Sequence, residues 1–144
     1  MVYTVTFNPA LDYVMNLRLL STDDINRTES EELYYGGKGI NVSAILSRLD
    51  IPNIALGFTA GFTGKKLKEM LDADGIKNDF IELEKGFTRI NVKIKYGEEL
   101  DINANGPEIT EEKTAELFSR LKQLKEGDYL VLAGSVPPSL PDDL

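Results

Sequence analysis

The sequence predicts an α/β fold with a largely parallel sheet flanked by helices and a small antiparallel β layer beside it. Three observations favour this class. Nearly continuous apolar runs at 53–58 and 129–133 are typical of strands buried on both faces. Segments with helical apolar spacing alternate with such runs. The segments 11–19 and 88–96 instead largely alternate between apolar and polar residues, as half-buried strands do.

The composition excludes several kinds of chemistry. The 144 residues include no cysteine and no histidine, so disulfides, thiolate nucleophiles, cysteine metal sites and histidine bases are excluded. The net charge of −8 argues against non-specific binding to nucleic acid or to an anionic membrane. The first residues have neither the basic nor the apolar region of a signal peptide, and no apolar run is long enough to cross a bilayer. We therefore expect a cytoplasmic protein.

The first elements are strands. Residues 2–7 are rich in β-branched and aromatic residues, and the turn signal Asn8–Pro9 ends them. Residues 11–19 follow as a half-buried strand with which 30–35 can pair. A helix begins at Gly39, and its helically spaced apolar residues are Val42, Ile45, Leu46 and Leu49.

The middle of the chain repeats the alternation of strand and helix. A buried strand at 53–58 precedes a helix that contains Leu67, Met70 and Leu71 and ends before Gly75. A strand at 78–83 comes next. The strand at 88–96 then continues through a tight turn at 97–98 into a partner strand near 100–104. One face of this hairpin is strongly polar (Arg89, Asn91, Lys93 and Lys95), which predicts a position over a solvated cleft.

The last predicted elements are one helix and one strand. Thr110 can cap a helix that runs to about Leu124, with the buried stripe Leu117, Phe118, Leu121 and Leu124, and Gly127 closes it. The buried strand at 129–133 leads into an abrupt loop at 134–138. Residues 141–144 resemble the start of another helix. We therefore expect the chain to be the N-terminal part of a longer domain.

The segment Gly36–Asn41 (GGKGIN) is the strongest candidate for ligand binding. Glycine lets main-chain N–H groups approach a ligand, and the N-terminus of a helix favours anionic groups. Lys38 adds a cation, and Asn41 can both donate and accept hydrogen bonds. The alternative is a turn that needs glycine only for steric reasons. The segment has neither the Walker A nor the GxGxxG spacing.

Other polar residues are candidates with simpler alternatives. Asp12 could accept hydrogen bonds from two vicinal sugar hydroxyls, or could be a solvated residue after a turn. Arg89 shares a strand face with Asn91, and its planar fork suits phosphate, although such a face can also serve only solubility. Ser135 follows a buried strand, and ligands in open parallel sheets bind at the carboxyl ends of strands. Its alternative is a plain turn.

Six motifs in order resemble the pfkB family, ribokinase-like carbohydrate kinases, from Val2 to about Pro141. They are TxNPAxD (6–12), GGKGIN (36–41), LGFTAGFTG (56–64), TRINVKI (88–94), NGPEIT (105–110) and AGSVPPSLP (133–141). The resemblance implies a ribokinase-like domain with a small β lid, formed by strands around 11–19, 30–35 and 88–104, that often joins subunits in a homodimer. The substrate-binding residues that it implies are Asp12, Arg27, Gly36, Gly37, Lys38, Gly39, Asn41, Arg89, Asn91 and Ser135.

The resemblance also implies specific roles for these residues. Asp12 matches the residue that holds sugar hydroxyls, while Arg89 and Ser135 match residues that contact the sugar phosphate. Arg27 matches a basic position that can reach the phosphate, sometimes across the dimer. Nothing in these 144 residues matches the family's catalytic aspartate or its nucleotide-binding segments. We therefore expect no catalytic, cofactor-binding or metal-binding residue in this chain.

The TRINVK segment followed by NGP is most similar to the 1-phosphofructokinases of the family. The implied reaction moves the γ-phosphoryl group of ATP, with Mg²⁺, to the 6-hydroxyl of fructose 1-phosphate. Tagatose-6-phosphate kinases and 6-phosphofructokinases share the pattern and stay open as alternatives, as does a non-catalytic module that binds a sugar phosphate. A dinucleotide-binding Rossmann protein is disfavoured, because Asn8–Pro9–Ala10 stands where GxGxxG is required. We predict that this chain alone is inactive.

Overall fold

The computed structural model describes residues 1–140, and these form two sheets of four strands each, with three helices. The predicted helix start at 141–144 lies outside the described residues. In chain order the elements are β1 (Val2–Thr6), β2 (Ala10–Asn16), β3 (Ser30–Gly36), α1 (Lys38–Arg48), β4 (Asn53–Ala60), α2 (Gly61–Ala73), β5 (Asn78–Leu83), β6 (Arg89–Lys95), β7 (Glu99–Ile102), α3 (Glu111–Leu121) and β8 (Tyr129–Leu132).

The main sheet is parallel, in the strand order β5-β4-β1-β8, and its flanking helices confirm the predicted fold class. Successive residues of a strand point to opposite faces. On one face Ala55 packs with apolar residues of α1 and α2, and on the other Leu56 packs with Leu117 of α3. Because the four strands are parallel, their carboxyl ends share one edge of the sheet. Within residues 1–140 no helix is both long and apolar enough to cross a membrane.

The second sheet has the order β3-β2-β6-β7 and is mixed, so the prediction of a small antiparallel layer was wrong for one of its three strand pairs. The pairs β2–β3 and β6–β7 are antiparallel, but β2 and β6 run parallel. The reason lies in the main sheet. Strand β2 leaves the end of β1, and β6 leaves the end of β5, so both depart from the same edge in the same direction. We call this second sheet the lid.

Helix α1 buries a different face from the one that its apolar residues predict. Gly39, Ile40, Ser43 and Ala44 are its buried residues, whereas Ile45 and Leu49 are 57% and 63% exposed. The hydroxyl groups of Thr4 and Ser43 are hydrogen bonded at 2.7 Å in the buried interface with β1. The sheet thus selects the face of α1 through small and polar residues that a hydrophobic stripe does not reveal.

Strand β8 was predicted to be buried on both faces, and this prediction was wrong. Tyr129 and Leu132 of β8 are 70% and 60% exposed. Within residues 1–140, β8 pairs only with β1 and forms an edge of the main sheet.

Phe118 of α3, predicted in a buried stripe, is likewise 42% exposed. Predicted strand 11–19 also ends earlier, at Asn16, and Leu19 lies in the exposed segment that follows.

Candidate functional site

A cavity of about 220 Å³ opens where the end of β1, the start of α1, the start of β6 and the loop after β8 meet. Because β1 and β8 are parallel, it lies at the carboxyl edge of the main sheet, where ligands bind in open α/β folds. The lining residues are Thr6, Asn8, Gly37, Lys38, Asn41, Arg89, Gly134 and Ser135. Five of the predicted substrate-binding residues are therefore brought together from three distant segments.

The N-terminus of α1 forms one wall of this cavity. Gly37 precedes the helix with φ of 128°, a conformation that favours glycine, and a Cβ there would lie 2.7 Å from Thr6 Cγ2. Thr6 Oγ1 accepts a hydrogen bond of 3.0 Å from the main-chain N–H of Ile40, in the first turn. The positive end of the helix therefore meets the cavity beside the Lys38 ammonium group, which is favourable for an anion.

Arg89 also lines the cavity. Its Nε donates to the main-chain oxygen of Asn8 at 3.1 Å, and its Nη1 donates to the main-chain oxygen of Ala104 at 3.2 Å. Burial lowers the pKa of the Arg89 guanidinium, and the negative charge of Asp12 opposes that shift. Arginine is nevertheless protonated at neutral pH. Two main-chain hydrogen bonds thus hold a positive fork at the cavity, and its other N–H groups suit an anionic oxygen.

Asp12 lies on β2, in the lid, and does not line the cavity. Its Oδ1 accepts a hydrogen bond of 2.9 Å from Nδ2 of Asn91, the residue opposite it on β6. Asn91 is 7% exposed, and its Oδ1 accepts from the main-chain N–H of Ala104 at 3.3 Å. A Cβ on Gly36 would lie 2.6 Å from Asp12 Oδ2. The carboxylate is therefore held between neighbouring strands of the lid.

The remaining predicted residues are not at the cavity. Gly36 leaves room for the Asp12 carboxylate, and Gly39 leaves room for β1, since its Cβ would lie 2.5 Å from Thr6 Oγ1. For these two glycines the structure shows the steric role that the sequence left open. Arg27 is exposed in the segment between β2 and β3, and the structure does not bring it to the cavity. Its role stays a prediction.

Sequence reasoning missed Thr6, Asn8 and Gly134. Asn8 is 5% exposed, donates from Nδ2 to the main-chain oxygen of Asn105 at 2.8 Å, and accepts from Arg89 on its own main-chain oxygen. It thereby joins the end of β1 to the lid. Thr6 and Asn8 follow the rule that selected Ser135, because they stand at the carboxyl end of a parallel strand. That rule, applied to β1 as well, could have found them.

Metal binding requires a different set of side chains from those that line this anion-binding cavity. Among residues 1–140, no group of three or more aspartates or glutamates lies close enough together to hold a metal ion. The described residues therefore do not form a protein cage for Mg²⁺.

Comparisons with protein families and with curated proteins identify relatives of this chain. The profile of the pfkB family carbohydrate kinase matches residues 5–144. The chain is 46% identical over 143 residues to the 1-phosphofructokinase of Bacillus subtilis, covering 99% of this chain and 47% of that protein. It is 41% identical over 144 residues to the D-tagatose-1-phosphate kinase of Bacillus licheniformis, covering 100% of this chain and 47% of that protein. The chain thus spans about half the length of these relatives.

Solved structures agree with the fold. A crystal structure from Staphylococcus aureus, 45% identical, matches 99% of this chain and 46% of its own chain with a TM-score of 0.92. The phosphofructokinase-2 of Escherichia coli in complex with fructose-6-phosphate is 26% identical and has a TM-score of 0.89 over 97% of this chain and 47% of its own. The two-sheet arrangement described above is therefore that of ribokinase-like kinases.

Proposed function

Because this chain belongs to the pfkB family of carbohydrate kinases, we propose that a protein carrying it at its relatives' full length phosphorylates fructose 1-phosphate. The product is fructose 1,6-bisphosphate, formed by transfer of the γ-phosphoryl group of ATP to the 6-hydroxyl. In this proposal the present chain carries most of the sugar-phosphate site. The protein acts in the cytoplasm, where ATP is abundant.

The observation that carries this proposal is that Arg89 and the N-terminus of α1 line the same cavity. A guanidinium, an ammonium group on Lys38 and a helix N-terminus together suit a doubly charged phosphate. Ser135 adds a hydroxyl group at the same cavity. Asp12, farther into the lid, is placed to accept hydrogen bonds from sugar hydroxyls. The phosphate end of the substrate therefore lies at Arg89 and the sugar end points toward Asp12.

The chain leaves three parts of the reaction to the rest of the proposed protein. Phosphoryl transfer depends on positioning and charge neutralisation, with Mg²⁺ bound to the nucleotide. We assign the nucleotide site, the Mg²⁺ and the catalytic base to the portion of the relatives that this chain does not span. The chain alone is accordingly expected to bind a sugar phosphate without turnover. A non-catalytic binding module would share this behaviour but would not gain activity when the missing portion is supplied.

The names of the relatives favour a ketose 1-phosphate. The Bacillus subtilis and Bacillus licheniformis proteins are named for kinases of fructose 1-phosphate and tagatose 1-phosphate, at 46% and 41% identity. The Escherichia coli structure with fructose-6-phosphate is 26% identical. Tagatose 1-phosphate is therefore the second candidate substrate, ahead of the tagatose 6-phosphate and fructose 6-phosphate of the sequence alternatives.

The outer face of the lid supports a homodimer. The register places Asp12 opposite Asn91 on the inner face, and Tyr13 opposite Leu33 and Val92 on the outer face. This outer face also carries Leu33, Leu100 and Ile102, which are large apolar side chains and are exposed. Exposed apolar sheet faces are typical of protein interfaces. We propose that two lids pair through this face; a solved form of the Escherichia coli relative is a tetramer.

The test combines binding by the chain with turnover by a chimera. Calorimetric titration of the 144-residue chain with fructose 1-phosphate, tagatose 1-phosphate and fructose 6-phosphate should show tightest binding of fructose 1-phosphate. A chimera joins residues 1–144 to the portion of the Bacillus subtilis enzyme that this chain does not span. We expect it to consume ATP with fructose 1-phosphate in preference to the other two sugars. Sugar binding with an inactive but folded chimera would instead support the binding module.

A further inference from the structure

Asn91 lies too deep in the lid to be an ordinary ligand-binding amide. Only 7% of the residue is exposed, and it does not line the cavity that holds Arg89. Both ends of its side chain already bind protein groups: Nδ2 donates to Asp12 Oδ1 at 2.9 Å, and Oδ1 accepts from the N–H of Ala104 at 3.3 Å. Its polar atoms therefore face the protein.

We infer that Asn91 is a positioning residue, which acts on sugar binding through Asp12 and Ala104 without touching the sugar; this rests on the function proposed above. An ionised carboxylate has about four acceptor sites on its two oxygens. Asn91 occupies one of them and so fixes the rotation of the group. The remaining acceptor sites then face a defined direction before the sugar arrives.

The second oxygen of Asp12 is confined by the neighbouring strand. Gly36 on β3 has no side chain, and a Cβ there would lie 2.6 Å from Asp12 Oδ2. The carboxylate therefore fits in a slot with β3 on one side and Asn91 of β6 on the other. A group held this way loses little further conformational freedom when it binds a ligand, which favours affinity.

Ala104 extends the effect to the phosphate end. Its N–H binds Asn91 Oδ1, and its main-chain oxygen accepts from Arg89 Nη1 at 3.2 Å. Residues 89 and 91 are two apart on one strand, so their side chains share the inner face of the lid. The main chain of Ala104 is thus hydrogen bonded both to Asn91, the neighbour of Asp12, and to Arg89, the residue proposed to bind phosphate. Asn91 thereby sets the spacing between the groups for the hydroxyl and phosphate ends of the sugar.

This arrangement predicts an effect that depends on the ligand. Fructose 1-phosphate needs both ends of the site, whereas inorganic phosphate needs only the Arg89 end. We expect Asn91→Ala to weaken binding of fructose 1-phosphate by about 10- to 100-fold, the usual effect of losing a hydrogen bond to a charged group. Binding of inorganic phosphate should change by less than about 3-fold, since Arg89 keeps its bond to Asn8.

A double-mutant cycle on the 144-residue chain tests the assignment by calorimetry. The variants are Asp12→Ala, Asn91→Ala and the two combined, titrated with fructose 1-phosphate and with inorganic phosphate. If Asn91 acts through Asp12, the double variant binds the sugar no more weakly than Asp12→Ala alone. Additive losses would mean that Asn91 acts on sugar binding independently of Asp12 and would overturn the inference.

Two further variants separate positioning from folding. Asn16→Ala is the matched control, because Asn16 lies on the same lid face and binds Ser30 Oγ at 3.0 Å from its own Nδ2; it should leave sugar binding unchanged. Asn91→Leu keeps the approximate size but loses both the donor to Asp12 and the acceptor for Ala104. It should weaken sugar binding as Asn91→Ala does, even if the alanine variant is too unstable to purify, and unchanged binding would overturn the inference.

The outcomes distinguish this inference from the proposed function. If the unmodified chain binds none of the sugar phosphates, both are overturned. If it binds fructose 1-phosphate and the cycle is additive, only the positioning role of Asn91 is overturned. A non-additive cycle with unchanged phosphate binding supports both.

Discussion

The guanidinium of Arg89 and the main-chain oxygen of Asn8 are joined by a hydrogen bond of 3.1 Å, across 81 positions of sequence. This bond connects the first residue of a lid strand to the end of the central strand of the main sheet. The group proposed to hold phosphate is therefore fixed by the same contact that fixes the lid on the body of the protein. Substitutions at the anion site should therefore also change the stability of the lid.

Replacing Arg89 by lysine should weaken phosphate binding by about 10-fold or more, although the charge is kept. A lysine has no planar fork and cannot bind both Asn8 and Ala104 while it faces the ligand. Calorimetric titration with inorganic phosphate measures the change. Arg18→Lys, at an exposed position after β2, is the control and should leave phosphate binding unchanged. Equal affinities for Arg89→Lys and the unmodified chain would remove Arg89 from the site.

Gly36→Ala should lower both thermal stability and sugar binding, because the added methyl group would lie 2.6 Å from Asp12 Oδ2. The clash is specific, so it should disappear in an Asp12→Ala background, where the alanine at position 36 becomes nearly neutral for the melting temperature. Differential scanning calorimetry of the two single variants and the double variant gives the answer. Equal destabilisation in both backgrounds would show that the cost arises from the main chain of β3.

Two buried threonines on neighbouring strands should respond oppositely to valine. Thr6 Oγ1 accepts the N–H of Ile40, so Thr6→Val should destabilise the chain by about 1–3 kcal/mol, the usual cost of leaving a buried donor unpaired. Among residues 1–140, Thr59 Oγ1 is buried without a hydrogen-bond partner, so Thr59→Val should be neutral or stabilising. Urea unfolding compares them directly. A larger loss at Thr59 than at Thr6 would contradict both hydrogen-bond assignments.

Glu116 should contribute to stability at neutral pH and cease to do so in acid. A hydrogen bond from Arg120 lowers the pKa of Glu116 below its ordinary 4.5. Because the folded pKa is lower than the unfolded one, the contribution is complete above about 4.5 and disappears as the pH falls through the lowered value. In urea unfolding, Glu116→Gln should be less stable than the unmodified chain at pH 7, and the difference should vanish in acid.

Glu126→Gln serves as the control for that measurement, since Glu126 is exposed in the segment after α3. Its stability should match that of the unmodified chain over the whole pH range. A gap between Glu116→Gln and the unmodified chain that stays constant into strong acid would show that the carboxylate charge of Glu116 is not the cause.

The parallel sheet and the cavity loop were predictable because their signals are local. The apolar run of β4 and the GGKGIN segment report burial and close main-chain approach within a few residues. The orientation of α1 was not predictable, since it depends on Thr4 meeting Ser43 across 39 positions. The parallel pairing of β2 with β6 depends in turn on where β1 and β5 end, which no period in either segment records.

The residues of the candidate site likewise include some that the sequence predicted and some that it did not. Gly37, Lys38 and Ser135 belong to loops whose composition already suggests a ligand. Asn8 looks like a turn residue, and its importance comes from contacts with Arg89 and Asn105 that exist only once the lid has folded back. Arg27 shows the opposite case, because a motif position alone predicted it and no contact within residues 1–140 tests its role.

The exposed strand β8 has a consequence for the order in which such proteins form. A ribosome delivers the N-terminal portion first, and domains begin to fold as they emerge. For relatives twice as long as this chain, β8 would stand as an unpaired apolar edge until the next segment arrives. Such an edge is a template for whichever strand reaches it first. A chain of that length would thus have a brief interval in which correct continuation competes with pairing to another nascent chain.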